Sequence, residues 1–407
     1  MTRARQLSRV ALLVVLALAI PALAQAAEWA PNTAYSVGAL VTYQGPTYKC
    51  LQAHTSIVTW EPPNTPALWQ LQSGTSPTPT PSPTARPGTR PRPTPTPTPT
   101  PRPGTRPRPT PTPTATPSGS SGINPGPGVP SSVAVPYVDV LAWPTLDINS
   151  TRAATGHRYY TFAFIQSRGC EASVGGIYPM SERWYAGPIN SLRAAGGDMV
   201  FAFGGAAGIE LAQACTSVSS LAAAYTSAKN TYRITTADFD IEGAPLYDTA
   251  ANDRRHKAIK QVGFSRLIVT LPVMPEGLTS GGLDLLRNAK ANGVQYNVVN
   301  LMTMDYGGAY CGDMGGYAVQ AINSVKSQLS SIGYSSTVAA TPMIGVNDVT
   351  CEVFQLSDAS QVKSASPGYR AFWSVNRDNG SCAGCGCARG NCSGISQSTW
   401  GFTNAFK

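Results

Sequence analysis

Apolar and polar residues alternate in short runs along the second half of the chain, and each run is followed by a stretch of helical spacing. The strand-like runs are YVDVLAWP from Tyr137, RYYTFAFI from Arg158, DMVFAFGG from Asp198, ITTADFDIE from Ile234, RLIVTLPV from Arg266, YNVVNLMTMDY from Tyr296, TVAATPMI from Thr337 and YRAFWSVN from Tyr369. Between the last two pairs of runs the spacing changes: Ala318, Ile322, Val325, Leu329 and Ile332 step by four and three, as one face of a helix requires. Eight strands alternating with helices predict an α/β fold, a parallel (β/α)8 barrel over residues 134–407. Such a barrel carries its chemistry at the C-terminal ends of its strands.

The run from Ile234 breaks the apolar pattern. Asp238, Asp240 and Glu242 stand at every second position with Phe239 and Ile241 between them. Residues two apart in a strand share a face, about 7 Å from one another, so the three acids point one way and the two apolar residues the other. Crowded like charges raise one another's pKa unless a proton is shared, which costs stability. A polar strand edge is the bland alternative. The functional reading is a catalytic strand whose last acid, Glu242, is kept protonated at the barrel mouth. That suits glycosidic cleavage, which needs a proton for the leaving oxygen. The other two carboxylates lie behind Glu242 on the same strand, poorly placed to attack the far face of a sugar. A substrate that supplies its own nucleophile, such as a 2-acetamido group, resolves the difficulty, with a carboxylate orienting the amide.

The N-terminal half is organised differently. MTRARQLSRV, ALLVVLALAI and PALAQAA read as a secretory signal peptide over residues 1–24, cut between 24 and 27. Residues 28–72 form a small module whose VTYQGPTYKC predicts two short strands around a Gly turn. Residues 75–130 are dominated by Pro, Thr, Ser, Gly and Arg, with RPGTRPRPTPTPT occurring twice; such a tract is expected to bury no core and to serve as an extended linker. The formal charge of +9 sits in Arg3, Arg5 and Arg9 of the leader and Arg86, Arg90, Arg92, Arg102, Arg106 and Arg108 of the linker. The folded parts are therefore near neutral, which argues against a nucleic-acid or membrane partner. The expectation is a secreted, extracellular monomer.

Nine cysteines fit an oxidising compartment. Cys50 stands alone in the module and reads as a buried thiol. Cys170, Cys215, Cys311, Cys351, Cys382, Cys385, Cys387 and Cys392 form an even set. Cys170 with Cys215, and Cys311 with Cys351, lie beyond adjacent strands and can clamp neighbouring loops; the last four are expected to close among themselves. CAGCGCARGNC could be a metal knot, but the histidines are elsewhere, so neither metal nor cofactor is expected.

DFDIE resembles the DxxDxDxE signature of glycoside hydrolase family 18, the chitinase family. FAFGG is similar to its SxGG motif, and TLPVMPEGL, LMTMDYG and AFWSVNRD to its fifth, sixth and eighth strands. The resemblance implies a retaining (β/α)8 chitinase that uses the substrate's acetamido group. Glu242 would then be general acid and later base, Asp240 would hold the acetamide, and Asp238 would tune Asp240. Met304, Asp305 and Tyr306 would border the subsite and Trp373 would floor it. The pattern departs at Thr235 and Ala202, both in the supporting polar network. The module closely resembles carbohydrate-binding families 5 and 12, all-β modules that bind chitin. By that match Trp60 is the leading chitin-contacting ring, with Trp69 and Trp29 as candidates better suited to structural roles, and His54 as a structural histidine. Asp313 reads as solvated. Chitin and N-acetylglucosamine oligomers are the implied partners. An endo-β-N-acetylglucosaminidase acting on glycoprotein or peptidoglycan glycans is the alternative within the fold, and a chitin-binding lectin on a dead barrel the alternative outside enzymes.

Overall fold

The computed structural model describes residues 26–30, 33–43, 45–50, 54–56, 62, 69–72, 122–142 and 144–407. Trp60, the leader and the linker up to residue 121 lie outside the described residues.

The chain divides into two compact units. In the first, a four-stranded sheet runs in the order Ala27–Glu28, Leu40–Thr42, Thr47–Cys50, Trp69–Gln72. Leu40–Thr42 and Thr47–Cys50 pair antiparallel around the turn at Gly45, as the sequence predicts. Val41, Tyr48 and Cys50 from these strands meet Trp29 and Trp69 in one small core, in which Trp69 is 2% exposed and Trp29 9%. Tyr35 meets Trp69, and Tyr43 meets Trp29, edge to face. So small a sheet has little else to bury. Trp29 and Trp69 thus contribute to the core, in keeping with structural roles for both rings.

In the second unit seven parallel strands follow in order: β1 (Tyr137–Asp139), β2 (Tyr159–Arg168), β3 (Asp198–Gly204), β4 (Thr236–Asp240), β5 (Arg266–Met274), β6 (Val298–Met302) and β7 (Thr337–Thr341). The eighth position, Tyr369 to Trp373, is no continuous strand. It closes the ring through single bridges, with the Tyr137 N–H donating to Phe372 O and the Ala371 N–H to Ala340 O. Helices α1 (Ile148–Thr155), α2 (Ala186–Ala194), α3 (Val218–Tyr232), α4 (Thr249–Val262), α5 (Ser280–Ala291), α6 (Met314–Ser331), α7 (Leu356–Ala365) and α8 (Gly401–Phe406) alternate with the strands. The domain is a (β/α)8 barrel. Asp313, expected to be merely solvated, caps α6 by accepting from the Gly316 N–H.

Two cores follow from strand alternation. The outward residues of β4, Ala237 and Phe239, with Ile241 beyond, join the apolar layer between strands and helices. The inward core is small: Val200, Ala202, Ala163, Ile268, Val298, Ala339 and Ala371 around Tyr137 and Tyr369. Four alanines there leave room for the Tyr137 ring and for the acids of β4.

The linker ends earlier than the composition suggests. Ile123 is buried, Gly128 N–H donates to Asp198 Oδ2 at 3.0 Å, and Asn124 O accepts from Arg193. A methyl group on Gly126 would strike the Asp198 carboxylate, so glycine is what lets this segment lie on the barrel. Residues 122–130, expected in the linker, therefore pack with the catalytic unit.

Candidate active site

Register builds the site. Asp238 lies level with Ala202 of β3 and Ile268 of β5, and Asp240 level with Gly204 and Thr270. Gly204 has φ +103°, and a Cβ there would come within 2.1 Å of Asp240 O. Glycine thus permits the close approach in which the Gly205 N–H donates to Asp240 O at 3.0 Å. The FAFGG pair shapes the rear of the site through backbone alone.

Asp238 is fully buried without a cation. Tyr137 Oη donates to its Oδ2 at 2.6 Å and Thr270 Oγ1 to its Oδ1 at 2.8 Å. Asn300 Nδ2 donates in turn to Thr270 Oγ1 and Thr341 Oγ1, at 3.0 and 2.7 Å. Burial pushes Asp238 up to about 6, and the two hydroxyls hold it down from going further. Ala202 supplies no donor where the family pattern has Ser, and Thr235 precedes β4 with its carbonyl accepting from Ser265. The supporting network has moved to Tyr137, Thr270, Asn300 and Thr341. None of these was singled out in the sequence, although each is a polar residue on the inward alternation of an otherwise apolar strand.

Asp240 and Glu242 act on each other electrostatically, and Asp240 Oδ1 is buried without a hydrogen-bond partner. Burial, then the neighbouring charges of Glu242 and Asp238, drive Asp240 far above the ordinary carboxylate range. Glu242 keeps some surface open at the mouth. Burial takes it up to about 7; Asp240 lowers it and the Asp305 charge raises it. Both groups are thus raised, and their titrations are linked.

Asp305 follows β6 in the left-handed region, φ 52°, and its Oδ1 accepts from the Val349 N–H at 2.8 Å. Burial and the Asp348 charge push it up to about 7, with the Arg377 guanidinium opposing. Met304 beside it is half-buried. Tyr306 is 7% exposed, and its ring packs with Tyr310 and with Tyr317 of α6. The Asp305 charge bears on Glu242. Trp373 stays half-buried, stacked on Phe164 at 5.7 Å and tilted against Tyr137 at 6.0 Å. It caps the inward core directly above the Tyr137–Asp238 bond.

Cys170–Cys215 and Cys311–Cys351 are bridged as expected, tying loops beyond β2 and β3 and beyond β6 and β7. The last four cysteines close only in part. Cys382 bonds Cys392, whereas Cys385 and Cys387 remain thiols, the Cys385 Sγ turned onto the Cys387 carbonyl at 3.0 Å. With only Gly386 between them, that local bond replaces the bridge.

The family description for carbohydrate-binding module family 5/12 matches residues 28–70. The catalytic domain of the hyperthermophilic chitinase from Pyrococcus furiosus superposes with a TM-score of 0.61 at 30% identity, covering 69% of this chain and 95% of that one. The chain belongs to glycoside hydrolase family 18. Endochitinase 11 of Metarhizium anisopliae is 34% identical to this family 18 chain over 276 residues, 61% of the chain, and a probable bifunctional chitinase/lysozyme of Escherichia coli is 35% identical over 279 residues. The chain spans 53% of the length of the first and 31% of the second.

Proposed function

We propose that the barrel hydrolyses β-1,4 bonds between N-acetylglucosamine units of chitin with retention, using the substrate's acetamide as nucleophile. The observation that supports this is the row of three carboxylates at and just beyond the end of β4, with Asp238 held by hydroxyls and Glu242 at the mouth pushed up to about 7 by burial. Glu242 delivers the proton to the leaving oxygen. As the acetamide oxygen attacks the anomeric carbon, Asp240 turns its carboxyl to the amide N–H and stabilises the cation that forms, leaning on Asp238 behind it. Water then attacks the anomeric carbon, Glu242 takes its proton, and the β-anomer leaves. Trp373 stacks under the reacting sugar, a face that aromatic rings provide well.

The leader exports the protein, the module over residues 28–72 anchors it to insoluble chitin through Trp60, and the tether raises the local substrate concentration. No cofactor takes part, and the protein acts as a monomer. Nuclear magnetic resonance of the first products from chitin hexamer tests the chemistry: β-anomers support the mechanism and initial α-anomers exclude it. Adsorption to crystalline chitin that survives Trp60→Ala unchanged would remove the anchoring role.

A further inference from the structure

The loops after β6 and β7 exchange hydrogen bonds in both directions. From the β7 side, the Val349 N–H donates to Asp305 Oδ1 at 2.8 Å. From the β6 side, the Gly307 N–H donates to Glu352 Oε1 at 2.7 Å. The other oxygen of that carboxylate, Oε2, is buried without a hydrogen-bond partner, so the Gly307 amide is the contact that ties Glu352 to the turn. The turn has Asp305 at φ 52° and Gly307 at φ 109°.

Val349 and Glu352 also belong to a single turn. The Glu352 N–H donates to Val349 O at 2.8 Å, and the Asn347 N–H to Glu352 O at 3.0 Å. The Asn347 side chain fastens this turn to Met343 O and Gly345 O. The acceptor for the Asp305 turn and the donor for the Asp305 side chain are therefore one rigid piece. Glu352 is fully buried, and burial with the Asp305 charge pushes it up to about 7 against the bond from the Gly307 amide. Without that acceptor the Gly307 N–H would be left unsatisfied, and a non-glycine residue at positive φ would have every reason to relax.

We propose that Glu352 is a positioning residue for the reaction: its carboxylate fixes the left-handed turn that aims Asp305 at the acid pair. The inference rests on the proposed chitinase chemistry, in which the charge of Asp305 bears on Glu242. Glu352 touches no reacting atom. The Cys311–Cys351 bridge joins the same two loops independently, so they stay together when the carboxylate is removed.

A double-mutant cycle on chitin-hexamer hydrolysis tests this in the full chain, with Glu352→Ala and Asp305→Ala singly and combined. Glu352→Ala is expected to lower kcat/KM by about ten- to a hundredfold, mostly in kcat. In the Asp305→Ala background the same change should cost less than about twofold, while its effect on Tm persists. Glu352→Gln retains an acceptor for Gly307 and should recover most of the loss. An undiminished effect in the Asp305→Ala background, or a Glu352→Ala enzyme within about twofold of the parent, overturns the proposal. Should Glu352→Ala not fold, Glu352→Asp withdraws the carboxylate by one methylene and enters the same cycle. If the parent cleaves no chitin oligomer, the functional reading fails, and amide exchange still judges the turn: Gly307 must exchange faster in Glu352→Ala, and unchanged exchange overturns the inference.

Discussion

Two of the barrel's clusters of carboxylates are held by opposite means. On the helix side, Glu210 meets Arg255, with Nη2 to Oε2 at 2.9 Å and Nε to Oε1 at 3.3 Å. The Ala212 N–H adds 2.7 Å and Tyr225 Oη 3.4 Å to the same carboxylate, and Asn252 takes the remaining side of the guanidinium. Inside the barrel, Asp238 and Asp240 on β4 and Glu242 just beyond it have hydroxyls for company and no guanidinium or ammonium among their hydrogen-bond partners. A counter-ion fixes a buried charge; hydroxyls leave it free to titrate. The first cluster ties the segment after β3 to α4, and in the second Asp238 and Glu242 are raised toward neutral pH.

The widest separation between the two should come from Glu242→Gln. The amide keeps the shape and removes the acid, so turnover should fall by about a hundred- to ten-thousandfold. Stability should hold or rise, since a buried acid with a raised pKa is exchanged for a neutral group. Hydrolysis rates beside thermal melts check both halves; near-normal turnover would remove Glu242 from the acid role.

Arg255→Met makes the converse case. It strands Glu210 in an apolar layer and should cost about 3–5 kcal/mol in denaturant unfolding. Turnover per folded molecule should change little, because the pair lies on the other side of the sheet. Adding Glu210→Leu should restore much of the loss, as replacing a whole buried ion pair often does.

A third contrast lies in pH. Asp238, Glu242 and Asp305 have folded pKa values raised above the unfolded ones, so the stability they contribute is full below the ordinary carboxylate value of about 4 and is lost as pH rises through about 7. Melting temperature should therefore decline across that window, and Glu242→Gln should flatten the decline. The alkaline limb of kcat/KM should also lie near the Glu242 value of about 7. Asp305→Asn removes one of the charges raising Glu242 and should move that limb to lower pH. A limb that stays in place would separate Asp305 from the acid pair.

What the sequence could show was local. The alternation in DFDIE placed three acids inward and Phe239 and Ile241 outward, and the steps from Ala318 to Leu329 lie on α6. What it could not show depends on residues far apart: Tyr137 reaches Asp238 across 101 positions and Asn300 reaches Thr341 across 41. An inward Thr or Asn in an apolar strand looks the same whether it binds water or a carboxylate. Backbone sign was equally hidden, as at the left-handed turn of Asp305. The segment from Ile123 to Val129 has linker composition and still packs, because Asp198 offers acceptors to its amides.

The smallest effects should come from the hydroxyls that distinguish the inner cluster. Thr270→Val is nearly isosteric and removes one of the two donors to Asp238. Asn300 keeps Thr341 as an acceptor, so the stability cost should stay near about 1–3 kcal/mol, the range for a buried polar group left with one partner fewer. The kinetic effect has a definite sign. That hydroxyl lowers the Asp238 pKa, so its loss raises it, and the acid limb of kcat/KM, where Asp238 must be ionised behind Asp240, should move to higher pH by under about one unit. Ala202→Ser offers the opposite change, since residue 202 lies level with Asp238 and a new donor there should move the limb down. Opposite displacements from neighbouring strands, with kcat on the plateau nearly constant, would show that neutral donors set the charge of Asp238. If both variants leave the acid limb where it is, another group governs it, and the hydroxyl network serves packing alone.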